Sequence, residues 1–411
     1  MLDEETVRGK CRALRAAYEK RYPSSLMLFA AKALINMAVC RIMDEEGMGL
    51  DLSSGGELYT ALQAGFPMER AYLHGNNKAA WELELALEAG VGRIVLDNER
   101  EMELLNALAT QRGVTQPVLL RVAPGIKPQT HSYISTGQID TKFGLGISTG
   151  CAERGLATAM SLPNLKVVGI HCHIGSNIMG LDSFEMAARM MIRFAAHLRD
   201  TLGLTIEELD LGGGVGVRYT ADDQPPSPED YAEAVITGVH EEVEKAGLPH
   251  PKLLQEPGRA ITGEAGTTLY TIGAIKDVPG IRRYVSVDGG MSDNPRPALY
   301  QARYSAMVAG NPLAPATEVV TVAGKHCECD NLIFDLAIPD VQPGDVLAVQ
   351  TTGAYNYTMA SNYNRFTRPA MVLVRDGQAE LIVARETLDD VISHDVVPAR
   401  LAKTEGCCCE G

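Results

Sequence analysis

Residues 48–77 read MGLDLSSGGELYTALQAGFPMERAYLHGNN and contain one complete unit of a pattern that recurs along the first part of the chain. A short apolar run ends in Ser and Gly, a stretch rich in Ala, Leu and Glu follows, and a second apolar run leads into His74. Such alternation is typical of β-strands and α-helices that wind around a parallel sheet. The pattern therefore predicts an α/β fold.

Eight apolar runs of this kind precede Arg259. They cover residues 26–31, 48–52, 71–73, 93–96, 117–122, 167–172, 208–211 and 252–255. Eight βα units within roughly 250 residues fit a closed (β/α)8, or TIM-like, barrel better than an open doubly wound sheet, which usually carries a glycine-rich loop after its first strand. The first run here is followed by Lys32 and no such loop. We therefore predict a barrel domain over residues 1–260.

Beyond Arg259 the sequence changes to runs rich in Val, Thr and Tyr that are broken by Pro and Gly. These runs cover residues 267–275, 284–287, 318–322, 345–350, 371–374 and 379–384. The last two flank Asp376-Gly377, and an Asp-Gly step between two apolar runs is a strong hairpin signal. The sequence thus predicts a β-rich domain, a β-barrel or sandwich, over residues 261–411.

The composition excludes several classes of partner. The 411 residues include 37 Lys and Arg against 52 Asp and Glu, a formal charge of −15, which argues against nucleic acid and anionic membranes. No apolar stretch approaches the ~20 residues of a bilayer span, and the N-terminus is acidic, unlike a signal peptide.

Nine cysteines, an odd number without a secretion signal, favour reduced thiols. We predict a cytoplasmic protein that acts on a small molecule, and the spacing of His and Cys predicts no metal site.

Glycines follow the last two predicted barrel strands. In such barrels the carboxyl ends of the strands face the active site, and the last two loops commonly bind phosphate through bare backbone N–H groups. Gly212-Gly213-Gly214 alone could equally form a flexible loop. Together with Glu256-Pro257-Gly258-Arg259 on the adjacent strand, it predicts a phosphate site.

Lys32 ends the first apolar run. Burial there would lower its pKa and make it an amine nucleophile for a Schiff base, although a lysine at a strand end can also extend into solvent. An amine facing a bound phosphate predicts pyridoxal phosphate, with Glu256 keeping the pyridine nitrogen protonated. His173 could stack on the ring, but His171 points to the same face, and the alternation of a strand cannot choose between them.

Nine short blocks, in order, resemble the diaminopimelate decarboxylases, which belong to the alanine-racemase-like (fold type III) group of pyridoxal-phosphate enzymes. The blocks are AAKA (30–33), SGGEL (54–58), HGNNK (74–78), HCHIGS (171–176), LGGG (211–214), EPGR (256–259), DGGMSDNPRP (288–297), GKHCE (324–328) and GAY (353–355). The resemblance implies a carboxy-lyase that converts meso-2,6-diaminopimelate to L-lysine and CO2, the last step of lysine biosynthesis, with pyridoxal 5′-phosphate as cofactor.

The resemblance also implies roles for individual residues. Lys32 would hold the cofactor, His173 would stack on it and Glu256 would contact its pyridine nitrogen. The phosphate would be bound by Ser176, Gly213, Gly214, Gly258, Arg259 and Tyr355. The substrate would be bound by Arg259, Arg296, Tyr300, Glu328 and Tyr355, with Glu328 at the distal ammonium. Cys327 would protonate the carbanion after CO2 leaves, and a thiol is a usable donor at neutral pH. Members are usually homodimers with shared active sites, in which Cys327 and Glu328 reach into the neighbouring barrel.

Two departures from the family pattern stand out. The usual Cys-Glu-Ser-Gly-Asp is replaced by Cys327-Glu328-Cys329-Asp330-Asn331, so local hydrogen bonds around the acid are expected to differ. The chain also begins without the stretch, containing a Pro-Xaa-Tyr-Val-like strand, that many members place before their first helix.

Other functions fit parts of the pattern. The same fold could decarboxylate another diamino acid, a carboxylated polyamine or a carrier-bound amino acid. Alanine racemisation has no evident use for Cys327 and Glu328. A non-catalytic protein that binds pyridoxal phosphate is typically a single barrel, so the second domain counts against it.

Overall fold

The computed structural model describes residues 1–126 and 141–402. The strands are β1 (Leu2–Asp3), β2 (Ser25–Ala30), β3 (Gly49–Leu52), β4 (Ala71–Leu73), β5 (Arg93–Leu96), β6 (Gln116–Ala123), β7 (Leu145–Gly146), β8 (Leu165–His171), β9 (Glu208–Asp210), β10 (Lys252–Gln255), β11 (Thr267–Val278), β12 (Arg282–Val287), β13 (Ala306–Val308), β14 (Glu318–Ala323), β15 (Asn331–Ile338), β16 (Val346–Gln350), β17 (Met371–Arg375) and β18 (Gln378–Val383). The helices are α1 (Glu4–Glu19), α2 (Met37–Glu45), α3 (Gly55–Ala64), α4 (Ala80–Ala89), α5 (Glu99–Arg112), α6 (Cys151–Ser161), α7 (Asp182–Leu202), α8 (Pro228–Ala246), α9 (Arg259–Thr262), α10 (Arg296–Tyr300) and α11 (Leu388–Ile392).

Eight parallel strands close into a barrel in the order β2-β3-β4-β5-β6-β8-β9-β10. Closure comes from the pairing of β10 with β2, where Leu253 lies opposite Ser25, and from the pairing of β5 with β6. The predicted TIM-like barrel is therefore confirmed. Each of the eight predicted runs agrees with an observed strand to within two residues at either end.

The unit quoted at the start shows why these segments fold as they do. The buried run of β3 passes to α3 through Ser54, whose Oγ accepts the N–H of Glu57 at 3.2 Å and caps the helix. The helix ends at Gly65, whose φ of 71° is the left-handed conformation that glycine adopts without strain. The chain is then free to return to β4 beside β3.

An apolar layer fills the barrel interior below the strand ends. It consists of side chains from six strands: Leu28, Tyr72, Val95, Leu119, Val168 and Leu254. Buried residues nearer the carboxyl ends of the strands include the polar Asp51, His74, His171 and Glu256. The apolar layer therefore fills the middle of the barrel, and the polar side chains lie between this layer and the carboxyl ends of the strands. This is the end of the barrel at which TIM-barrel enzymes have their active sites.

Two further sheets lie outside the barrel. A six-stranded sheet has the order β13-β16-β11-β12-β14-β15, and a three-stranded sheet has the order β1-β17-β18. The predicted hairpin is present: Asp376 and Gly377, with φ of 50° and 74°, join β17 to β18. Strand β1 pairs in parallel with β17, so the start of the chain lies against its later part. In the described part of the chain, none of the helices has the length and apolar character to cross a membrane.

Candidate active site

One cavity at the carboxyl end of the barrel collects most of the residues expected to bind the cofactor. Its lining consists of Ala30, Lys32, His173, Ser176, Gly214, Val215, Glu256, Pro257, Gly258, Arg259, Ala260 and Tyr355. Gly213 precedes Gly214 in the same loop. A larger groove, lined by residues of 220–222, 301–306 and 332–337, includes none of these residues. The smaller cavity, and not the larger groove, therefore contains the residues expected to bind the cofactor.

Lys32 lies on a short turn, Ala31–Ala33, directly after β2. Its Nζ donates a hydrogen bond of 2.6 Å to Oδ2 of Asp51, a fully buried residue of β3. Burial alone would lower the pKa of Lys32, but the charges of Asp51 and Glu256 outweigh it and raise the pKa. The prediction that burial lowers the pKa of Lys32 is therefore wrong, because two carboxylates lie in the same pocket as the amine.

Glu256 follows β10 and is almost completely buried. Its Oε1 lies 3.2 Å from Nε2 of His74 and 3.2 Å from Nε2 of His171. Burial would raise the pKa of Glu256, but the two histidines and Lys32 outweigh burial and hold the pKa well below its usual range. The fully buried Asp210 behaves oppositely, because burial and the charge of Glu256 raise its pKa. The pKa values of these two neighbouring carboxyl groups are thus shifted in opposite directions, which favours ionisation of Glu256 and protonation of Asp210.

The structure distinguishes the two histidines that the sequence leaves open. His171, the last residue of β8, is fully buried against Glu256. His173 lies beyond the strand end and lines the cavity, where its Nδ1 accepts the N–H of Gly213 at 3.2 Å. Burial and the charge of Lys32 lower the pKa of His173 well below its usual value, so the ring is neutral. The ring that faces the cavity is His173.

The glycines of the last two loops fit a phosphate-bearing cofactor. A Cβ on Gly213 would lie 2.0 Å from the carbonyl oxygen of Glu256, and one on Gly214 would lie 2.2 Å from that of Gly175. A side chain cannot be accommodated at either position, so this wall presents backbone where other residues would place a side chain, which allows an anion to approach closely. The N–H of Gly213 itself donates to Nδ1 of His173. Together with the amine of Lys32 and the carboxylate of Glu256, this wall matches the phosphate, aldehyde and pyridine nitrogen of pyridoxal phosphate.

Arg259 lies at the same wall, and nearly all of it is buried. Its Nη2 donates to Oγ of Ser176 at 3.0 Å, and its guanidinium carbon lies 4.7 Å from the ring centre of Tyr355. Its Nε has no hydrogen-bond partner among the described residues. The backbone N–H of Tyr355 donates to the carbonyl of Ala33 at 2.8 Å, which fixes this residue of the β-rich region beside the Lys32 turn.

Two tyrosines that the sequence does not predict join the arginines expected to bind carboxylates. Arg259 donates through Nη1 to the hydroxyl of Tyr219, and Arg296 donates through Nη1 to the hydroxyl of Tyr304 at 2.6 Å. The two tyrosine rings meet edge to face, 5.3 Å apart. Arg296 begins α10, which ends at the half-exposed Tyr300. With 14 tyrosines in the chain, composition gives no signal for these two.

Cys327 and Glu328 lie elsewhere, on an exposed loop between β14 and β15. The N–H of Cys327 donates to Oδ1 of Asn364 at 3.0 Å, and the hydroxyl of Tyr363 donates to Oε1 of Glu328 at 2.7 Å. Neither Cys327 nor Glu328 is among the residues that line the Lys32 cavity. A single chain therefore does not bring the expected acid into its own barrel cavity.

The departure from the family pattern has a structural counterpart beside this loop. Asp330, at a position where the usual pattern has glycine, is buried, and its Oδ2 lies 2.7 Å from Nδ1 of His326. The same oxygen accepts the N–H of Met291 at 3.2 Å. These contacts hold the base of the loop against the segment that precedes α10.

Comparison with known proteins agrees with this geometry. Residues 6–263 match the family model described as "Pyridoxal-dependent decarboxylase, pyridoxal binding domain". The diaminopimelate decarboxylase of Bacillus subtilis is 45% identical over 395 residues, which is 96% of this chain and 90% of that protein.

Two solved structures share the whole architecture. Diaminopimelate decarboxylase from M. jannaschii in complex with L-lysine has a TM-score of 0.91 and 34% identity, covering 98% of this chain and 92% of the other. The Helicobacter pylori enzyme, also complexed with L-lysine, has a TM-score of 0.87 and 29% identity, covering 95% of each chain. By its family match, its relatives and its fold, the chain belongs to the diaminopimelate decarboxylases, a family of pyridoxal-dependent decarboxylases.

Proposed function

We propose that this decarboxylase converts meso-2,6-diaminopimelate to L-lysine and CO2, and that the Lys32 cavity is its active site. The observation that carries the proposal is the meeting of Lys32, Glu256, His173 and the glycine loop around one cavity. Further support comes from the 45% identity to the Bacillus subtilis enzyme and from two structural neighbours that contain L-lysine, the expected product.

Pyridoxal phosphate supplies an electron sink for the bond that breaks when CO2 leaves. Lys32 would hold this cofactor and His173 would cover one face of its ring. The ionised Glu256 would contact the pyridine nitrogen and stabilise its protonated form. The phosphate would be bound by Ser176, Gly213, Gly214, Gly258, Arg259 and Tyr355, which surround the cavity or adjoin it.

The substrate carries two carboxylates, and the cluster beside the cavity offers two guanidinium groups. Arg259 and Arg296, with Tyr300 and Tyr355, would bind these carboxylates, because planar guanidinium groups can pair with each one bidentately. Glu328 would bind the distal ammonium. Cys327 would donate the proton that replaces CO2.

We further propose a homodimer in which each cavity is completed by the partner subunit. The support is that Cys327 and Glu328 are exposed on their own chain and absent from the lining of its cavity. A two-fold axis would give both cavities the same completion. The thiol of Cys327 must stay reduced to act as an acid, which favours a cytoplasmic location.

The same proposal assigns a separate role to each of two domains. A barrel over residues 1–260 would bind the cofactor, and a β-rich domain over residues 261–411 would supply Cys327, Glu328, Arg296 and Tyr300. In support, the structure has a second apolar core, separate from the main core, that consists mostly of residues after 260, such as Tyr270, Val285 and Leu347, joined by Val217 and Tyr219.

Steady-state assays with a panel of substrates test the function. We expect equal amounts of CO2 and L-lysine from meso-diaminopimelate, with kcat/KM at least about 100-fold above that for L-lysine, ornithine or arginine, because these leave one arginine of the site unpaired. Carboxynorspermidine is included as a carboxylated polyamine. Release of CO2 from one of these compounds, but none from meso-diaminopimelate, would contradict the proposal.

A further inference from the structure

Two buried histidines contact Glu256 without lining the cavity. His74 follows β4 and His171 ends β8, while Glu256 follows β10. None of these three strands neighbours another of the three in the barrel, so the side chains converge across its interior. His74 is 5% exposed and His171 is fully buried. Apart from their effect on the pKa of Glu256, neither ring has been assigned a role in the site.

The geometry concentrates both contacts on one oxygen. Nε2 of each histidine lies 3.2 Å from Oε1 of Glu256, and the two rings meet edge to face, 4.9 Å apart. Among the described residues, none of these three atoms forms a hydrogen bond, so the two 3.2 Å distances are close polar contacts without hydrogen-bond geometry. Because a buried polar atom without a partner is costly, each of the three depends on the others.

The charges in the cluster define which atoms carry protons. An ionised carboxylate oxygen only accepts hydrogen bonds, so each facing Nε2 must carry its proton. Burial lowers the pKa of His74 well below its usual value, which favours the neutral ring. Two imidazole nitrogens within 3.2 Å of Oε1, each carrying a proton, favour the ionised carboxylate over the protonated one. Both histidines contact Oε1, so neither of these two contacts involves Oε2, the other oxygen of the carboxylate.

We propose that His74 and His171 are positioning residues that keep Glu256 ionised and oriented toward the pyridine nitrogen of the cofactor. The inference rests on the role proposed above for Glu256. Loss of either ring would leave Oε1 with one imidazole contact instead of two, so the carboxylate would be held less firmly and would take up a proton more readily. The electron sink would then weaken although Lys32 and the phosphate loop remain intact.

Paired substitutions at each histidine test the inference. In His171→Leu and His74→Leu we expect kcat to fall on the order of 10- to 100-fold, a range typical of losing a residue that supports a functional side chain. KM should stay within about twofold, since no group that binds the substrate is removed. His171→Gln and His74→Gln should recover most of the rate, because the glutamine amide places an N–H near the position of Nε2.

Two readouts besides activity separate positioning from simple stability. Equilibrium dialysis should give unchanged affinity of the apoprotein for pyridoxal phosphate in the leucine variants. The visible spectrum of the bound cofactor should change in the same direction as in Glu256→Gln. His240→Leu, which removes a partly buried ring that contacts Tyr22 from helix α8, controls for the general cost of losing a histidine.

Three results would overturn the inference. One is an unchanged kcat in both leucine variants with full cofactor. Another is an equal loss in the leucine and glutamine variants, tracking cofactor loss or unfolding. The third is a stoichiometric zinc ion in the purified protein, because the ligand atoms of His74, His171 and Glu256 lie within 4.8 Å of one another and could chelate a metal. If Glu256→Gln itself leaves both spectrum and rate unchanged, the assigned role of Glu256 fails first.

Discussion

Lys32→Ala is expected to abolish decarboxylation, with kcat reduced by more than about 1,000-fold, as when other covalent nucleophiles are removed. The amine lies at the cavity and bonds Asp51 at 2.6 Å, so its loss removes the attachment point of the cofactor and leaves a buried carboxylate without its cation. The measurement is CO2 release from meso-diaminopimelate, together with the visible absorbance of the purified protein.

Two further variants test whether the activity lost in Lys32→Ala is due to the missing nucleophile. Lys32→Arg keeps a cation for Asp51 but cannot form a Schiff base, so it should be as inactive as Lys32→Ala while keeping more of its stability. Lys166→Ala removes an exposed lysine near the start of β8, at the opposite end of the barrel, and should retain full activity. Substantial turnover by Lys32→Arg would contradict the role of Lys32 as nucleophile.

Cys327→Ala is expected to lower kcat by about 100- to 10,000-fold, the contribution typical of a positioned general acid. The cofactor should remain bound, because Cys327 does not belong to the lining of the Lys32 cavity. Steady-state kinetics and the cofactor spectrum of the same preparation measure both effects. The combination of full cofactor and lost turnover distinguishes this variant from Lys32→Ala.

Cys329 provides a matched control two residues away. It is also an exposed free thiol of the same loop, and it stands where the family usually has serine. Cys329→Ala should therefore keep a rate close to that of the unaltered protein. If Cys327→Ala keeps its rate within about threefold, or if Cys329→Ala loses as much as Cys327→Ala, another group protonates the carbanion.

The barrel and much of its cavity can be predicted from the sequence because local patterns determine them. The barrel strands are short, largely apolar runs, and helices such as α3 have recognisable caps, here Ser54 and Gly65. Residues that directly follow a strand must lie at the same barrel end, which is why Lys32, Gly214, Glu256 and Arg259 meet as expected.

The remaining features depend on contacts between distant segments. The pKa of Lys32 is raised by Asp51 and Glu256, which lie on other strands, so its own apolar surroundings predict the wrong direction. The contacts of Glu256 with His74 and His171 cross the barrel interior and have no signal in sequence spacing. The pairing of β1 with β17 involves two residues of β1, too few for any periodicity.

The most direct test of the two-chain active site is to mix the inactive Lys32→Ala and Cys327→Ala chains, let subunits exchange, and measure CO2 release. With random exchange, half of the dimers are mixed, and each mixed dimer has one cavity with both Lys32 and Cys327 intact. We therefore expect about one quarter of the activity of the unaltered protein. No recovery, despite demonstrated subunit exchange, would contradict the claim and indicate that each chain completes its own site.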